Sequence, residues 1–186
     1  MLVLASASPR RRGLLQNAGI AFTIQPSDIA EVPVIGETAK NFAERLAREK
    51  ALAVFWLNPK DPVLGADTVV VVESEILGKP RDREDAARML RSLSGRRHQV
   101  ITGVCLIGET TPADVRSATT LVTMSKIEER EIQDYIATGE PLDKAGAYAI
   151  QGIASRWVTQ IEGDYSNVVG LPVPLVWKML RQHGVV

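Results

Sequence analysis

Leu2-Val3-Leu4-Ala5-Ser6-Ala7-Ser8-Pro9-Arg10-Arg11-Arg12 is the stretch whose reading decides the fold. The apolar run Leu2 to Ala5 predicts a strand. Ser8 suits the N-cap of a helix, and Pro9 suits its first position, where a missing N–H costs nothing. That helix is expected to reach about Ala18 and to stop at Gly19. A strand end, a small-residue turn and a helix start therefore meet within a few residues. Free N–H groups and the positive end of the helix dipole emerge at that junction. Three arginines in the first turn oppose the dipole and repel one another. They suit a bound anion, which small Ser and Ala side chains allow to approach the backbone. The alternative is a solvated basic helix start.

Working outward, the 186 residues suit one domain, or two small lobes sharing a cleft. Lys plus Arg number 22 and Asp plus Glu 22, so the formal net charge is zero. That balance argues against a sequence-independent nucleic-acid binder and makes any phosphate site a local one. The single cysteine, Cys105, lies in an apolar run and reads as a small buried hydrophobe, so no disulfide framework or thiolate zinc site is expected. No apolar run approaches membrane-spanning length, and none at the start resembles a signal h-region. The expectation is a soluble cytoplasmic protein with no membrane partner.

Ile20 to Ile24 predicts a short strand, followed by an irregular loop that holds Asp28 and Glu31. Thr38 caps a long helix to about Leu57. At about 100° per residue, Lys50 falls on the apolar face beside Ala39 and Ala43. A lysine there either snorkels to solvent or lines a cleft and meets an anion. Val63 to Val72 is the strongest strand, apolar on both faces, and Asp67 sits in its middle. A carboxylate in such a run is costly unless paired, hydrogen-bonded or metal-bound. It reads as a catalytic or metal-binding group, the alternative being a structural salt bridge or a capping role.

Glu73-Ser74-Glu75 predicts a hairpin turn into Ile76-Leu77, and Asp82 caps a helix over Arg83 to Leu93. Strands are expected at His98–Ile107, Val115–Met124, Ala147–Ile150 and Trp157–Ile161. Ser125 to Glu128 reads as a capping box for a helix to about Thr138. Asn167 to Pro172 reads as loop, and Pro174 to Gln182 as the last helix. Interleaved strands and helices give an α/β class, and the hairpins make the sheet mixed and twisted, with flanking helices.

Walker A, G-x-G-x-x-G, H-E-x-x-H and G-x-S-x-G patterns are absent. A cationic helix start, well-placed lysines and a carboxylate in a buried strand suit phosphate-ester chemistry with a divalent metal. Five segments carry a family resemblance: Ser6-Ala7-Ser8-Pro9-Arg10-Arg11, Gly65-Ala66-Asp67-Thr68, Gly78-Lys79-Pro80, Lys144 to Gly152, and Asn167 to Pro172. In order and spacing they resemble the Maf family of nucleoside triphosphate pyrophosphatases. The resemblance implies one Maf-like domain over residues 1–186, with two lobes around a deep cleft as in the inosine-triphosphatase group. It implies a cytoplasmic hydrolase, commonly a homodimer, that uses a Mg²⁺- or Mn²⁺-type cation to convert a nucleoside triphosphate to the monophosphate and pyrophosphate.

The same resemblance implies roles for single residues. Ser6, Arg10, Arg11, Lys50 and Lys79 match phosphate-binding positions. Glu31 matches a metal position, and Asp67 matches the catalytic acid and a metal position. Arg10, Thr68 and Gln151 match positions tied to base selection. Ser-Pro-Arg-Arg at Ser8–Arg11, Ala-Asp-Thr at Ala66–Thr68 and the Tyr-x-Ile-Gln-Gly turn resemble the subgroup acting on dTTP and UTP, and a glutamine amide offers a pyrimidine edge both a donor and an acceptor. The alternatives are the 7-methyl-GTP subgroup and a nucleotide-sensing regulator of cell division without turnover.

Overall fold

The computed structural model describes residues 1–186. In chain order the elements are β1 (Leu2–Leu4), α1 (Pro9–Asn17), β2 (Phe22–Ile24), α2 (Ala39–Phe55), β3 (Val63–Val72), β4 (Glu75–Leu77), α3 (Arg83–Leu93), β5 (Arg97–Ile107), β6 (Asp114–Met124), α4 (Glu129–Ala137), β7 (Val158–Glu162), α5 (Tyr165–Val169) and α6 (Val173–Gln182). The seven strands form one mixed sheet in the order β2-β1-β3-β5-β6-β7, with β4 on β3. β1 runs parallel to β2 and β3, whereas β4 on β3 and β7 on β6 are antiparallel. The expected mixed α/β class with flanking helices is the observed one. No helix is long and apolar enough to cross a membrane.

The chain forms two compact units. The first comprises Met1–Thr68, Thr102–Ala118 and Gly170–Val186, and the second Val69–Ile101 and Thr119–Val169. In the first unit, one side of the β1–β3 layer packs Leu2, Leu4 and Leu64 against Leu15 of α1 and Val176, Met179 and Leu180 of α6. The other side packs Val3, Ala5 and Val63 against Ala47, Ala51 and Val54 of α2. α2 approaches its strands closely because two of the facing residues are glycines. A Cβ on Gly65 would stand 2.2 Å from the Ala47 carbonyl oxygen, and one on Gly103 would stand 2.3 Å from that of Ala43. Both contacts are backbone, so only glycine fits.

In the second unit, Glu73 and Ser74 both take positive φ, as a two-residue hairpin turn requires. Asp82 caps α3 through Asp85 N–H at 2.8 Å. Three local expectations are corrected. Ala147–Ile150 is not a strand, because Gly146 and Ala147 sit at φ 69° and 58° and coil the chain into short turns. The capping box sits one turn later than Ser125. Ser125 N–H extends the pairing toward Trp157 O at 2.8 Å, so Glu128 starts α4 and its N–H donates to Glu131 Oε2 at 3.1 Å. Finally, the region around Asn167 is not all loop. Asp164 Oδ1 accepts from Ser166 N–H and Oγ at 2.8 and 2.7 Å and starts the one-turn helix α5.

Candidate active site

The turn between β1 and α1 is built as its residues require. Ser8 Oγ accepts from Arg11 N–H, and Ser8 N–H donates to Ser6 Oγ at 3.2 Å. Arg11 then folds back over the turn. Its Nε donates to Gly170 O at 2.8 Å, Nη1 to Ser6 Oγ at 3.2 Å and Nη2 to Thr68 Oγ1 at 3.1 Å. Thr68 Oγ1 also lies 2.9 Å from Thr102 Oγ1 and 3.3 Å from Gly170 O. Three of the five guanidinium N–H groups thus fix the cation rigidly. Arg10 is half-buried beside it, and Arg12 is exposed. Sequence pattern does not single out Thr102, and it marks Gly170 only as part of the segment Asn167 to Pro172. Their signals are a glycine at φ 130°, which a side chain would strain, and a hydroxyl inside an apolar strand.

Lys50 does not snorkel to solvent. It is 8% exposed on the buried face of α2, and Asp67 on β3 is 7% exposed. Lys50 Nζ donates to Asp67 Oδ1 and to Glu31 Oε1, each at 2.6 Å. Burial pushes the Asp67 carboxyl above the usual carboxylate range. Lys50 and Arg11 pull it down, and Glu31 pushes it up. The result is a desolvated carboxylate of raised basicity, held by a cation rather than by solvent. That arrangement suits a group that takes a proton.

Ser6, Arg11, Glu31, Lys50, Asp67 and Thr68 are brought together within the first unit, with Arg10 next to Arg11. Lys79 and Gln151 belong to the second unit. Both are exposed, Lys79 on the turn after β4 and Gln151 on the loop after Ile150. Gly146 N–H donates to Gly78 O at 3.0 Å, which joins the turn that bears Lys79 to the short turn five residues before Gln151. No third Asp, Glu, His or Cys joins Glu31 and Asp67 in a metal-binding cluster. The two carboxylates, which share the Lys50 ammonium, would offer the hard oxygen donors that a Mg²⁺-like ion takes.

A family model described as "Maf-like protein" matches residues 1–183. A dTTP/UTP pyrophosphatase of Koribacter versatilis is 56% identical over 184 residues, 99% of this chain and 95% of that protein. A dTTP/UTP pyrophosphatase of Citrifermentans bemidjiense is 51% identical, over 98% of this chain and 95% of that protein. The solved nucleoside-triphosphatase / dITP/XTP pyrophosphatase of Mycobacterium abscessus aligns at 16% identity and a TM-score of 0.44, over 68% of this chain and 73% of that one. By the extent of the family match and the identity of these relatives, this chain belongs to the Maf-like protein family.

Proposed function

We propose that this protein hydrolyses dTTP and UTP to the nucleoside monophosphate and pyrophosphate. The observation that carries the reading is the buried Asp67 carboxylate held by Lys50 beside the basic start of α1. The 56% identity to a dTTP/UTP pyrophosphatase supports the substrate class. In this reading Asp67 takes the proton of the water that attacks the α-phosphorus. Its raised pKa strengthens it as a base, so turnover falls as pH drops through that value. Lys50, Arg10 and Arg11 and the N–H groups of the α1 start hold the charge that develops on the leaving pyrophosphate. Ser6 shapes the turn that admits the phosphates. Lys79 is assigned to phosphate and Thr68, Arg10 and Gln151 to the base on family likeness. Glu31 and Asp67 are the residues to hold a Mg²⁺- or Mn²⁺-type cation, which supplies Lewis-acid charge to the phosphate oxygens. A cytoplasmic homodimer completes the proposal.

The test is pyrophosphate release from dTTP, UTP, 7-methyl-GTP and purine triphosphates, with Mg²⁺ and then with chelator. Turnover of the pyrimidine nucleotides that stops on chelation is expected. Asp67→Asn keeps the shape and removes the basicity. Its kcat should fall by roughly 10²- to 10⁴-fold, with the fold intact by circular dichroism. Unchanged turnover in that variant, or tight binding of every nucleotide without release, overturns the reading.

A further inference from the structure

Gln151 is exposed between the buried Ile150 and the half-buried Gly152. An exposed side chain on a loop points in one direction only if the backbone beneath it is pinned. Here it is pinned two residues before and two residues after. Ala149 N–H donates to Tyr135 Oη at 3.1 Å, and Ile153 N–H donates to Glu140 Oε1 at 3.1 Å. The Tyr135 hydroxyl closes the circuit by donating to the same Glu140 Oε1 at 2.7 Å. Phenol and carboxylate thus form one clamp that spans the loop carrying Gln151.

Both members of the clamp are themselves held by their neighbours. Tyr135, on α4, is 1% exposed and stands edge-on to Trp157, with ring centroids 5.3 Å apart. Glu140 follows Gly139, whose φ of 78° turns the chain off the end of α4. Lys144 Nζ donates to the Glu140 carbonyl at 3.1 Å. Gly152 leaves room for the carboxylate, since a Cβ there would stand 2.2 Å from Glu140 Oε1. A phenylalanine at 135 would fill the same space without burying a hydroxyl. The hydroxyl is there to serve the loop.

We infer that Tyr135 and Glu140 are positioning residues that hold the Gln151 carboxamide in place to read the nucleobase. The inference rests on the proposed base-reading role of Gln151. A loop already pinned does not have to be ordered when the nucleotide binds, so releasing the clamp weakens nucleotide binding and leaves the chemical step alone.

The experiment compares Tyr135→Phe, Glu140→Ala, Glu140→Gln, Gly152→Ala and Gln151→Ala in the full chain. It measures kcat and KM for dTTP and for a purine triphosphate, with melting temperature as the control. Tyr135→Phe, Glu140→Ala and Gly152→Ala, which displaces the Glu140 carboxylate while both clamp residues stay unsubstituted, should raise the dTTP KM roughly 3- to 10-fold. Discrimination against the purine should fall, while kcat stays within about twofold. Glu140→Gln keeps an oxygen acceptor for both donors and should restore KM. In a Gln151→Ala background the clamp variants should have no further effect on KM. If Gln151→Ala lowers discrimination and the clamp variants only lower the melting temperature, the inference is overturned and the base-reading role stands. If Gln151→Ala leaves discrimination unchanged, the role and the inference fall together.

Discussion

Gly65→Ala should unseat the helix that carries Lys50. The new Cβ would stand 2.2 Å from Ala47 O, 2.7 Å from Ala51 N and 2.9 Å from Ala51 Cβ. The first two atoms are backbone, so no rotamer relieves the clash, and α2 must retreat by about 1 Å to reach ordinary contact distance. Overpacking of this kind costs about 1–3 kcal/mol, and a clash with backbone belongs at the upper end. For a chain of this length, about 3 kcal/mol lowers the melting temperature by roughly 6–12 °C. Gly103→Ala strikes the same helix one turn earlier, at 2.3 Å from Ala43 O. Because either variant already lifts α2, the double variant should lose less than the sum of the two. The 2.6 Å pair between Lys50 and Asp67 lengthens with the helix. Turnover at 25 °C, far below the melting transition, should therefore fall as well, by up to about 100-fold for a 1 Å displacement. Thermal and denaturant unfolding, read beside pyrophosphate release, measure all three effects. A Gly65→Ala protein that melts within about 1 °C of the parent, or a double variant whose losses simply add, would refute the close-approach argument.

Gly13 supplies the opposite case. It lies inside α1 with ordinary backbone angles, and a Cβ there meets nothing within 4 Å. Gly13→Ala should stabilise by about 0.5–1 kcal/mol, seen as a higher denaturant midpoint, and an unchanged or lower midpoint counts against it. His98 governs an acid-side loss of stability. It is 2% exposed, its Nε2 lies 2.8 Å from Tyr148 Oη, and its buried Nδ1 has no hydrogen-bond partner. Burial holds its pKa down to about 4. Between pH 6.5 and 4 the unfolded chain therefore binds the extra proton and the folded chain does not. Stability is fully present above pH 6.5 and is lost as pH falls to about 4, by about 3 kcal/mol for this one group. His98→Gln should remove that share of the slope in chemical denaturation at pH 4, 5, 6 and 7. The same slope in both proteins would show that His98 is not its source.

Why some of the site is legible in the sequence and some is not comes down to the range of the signal. Asp67 announces itself because a carboxylate interrupts a ten-residue strand that is otherwise apolar but for Thr68. Lys50 does so because helical periodicity places it among alanines and leucines. Each signal is local, and each residue proves to be the other's partner. Glu31 has no such signal. It sits in an aperiodic loop, and its contact with Lys50 depends on how residues 25–38 return to α2. Gly65 and Gly103 read as weak points in two strands until the helix is laid across them. The Tyr135–Glu140 clamp is hidden for the same reason. Tyr135 fits the apolar face of α4, Glu140 fits a turn, and their meeting over residues 149–153 arises only after the chain reverses at Gly139. The Asn167 region is misjudged because a one-turn helix is too short to show periodicity, and only Asp164 marks its start.

The position of α2 sets more than Lys50. On the same helix, Arg45 Nε and Nη2 hold both oxygens of Glu37 at 2.8 Å, and Nη2 also donates to Val32 O at 3.0 Å. Glu37 Oε2 accepts from Val34 N–H at 3.3 Å. The loop that bears Glu31 is therefore fastened to α2 twice, by Arg45 just beyond Glu31 and by Lys50 on Glu31 itself. Asp67, by contrast, belongs to β3, whose parallel neighbour β1 is fixed by main-chain pairing. The two carboxylates ride on different bodies: one follows the helix and the other follows the sheet. A shift of α2 changes the distance between them and moves their shared ammonium at once, whereas a substitution at Gly13 on α1 moves neither. Gly65→Ala should thus cost turnover out of proportion to its cost in stability, and Gly13→Ala should change stability with turnover unaltered.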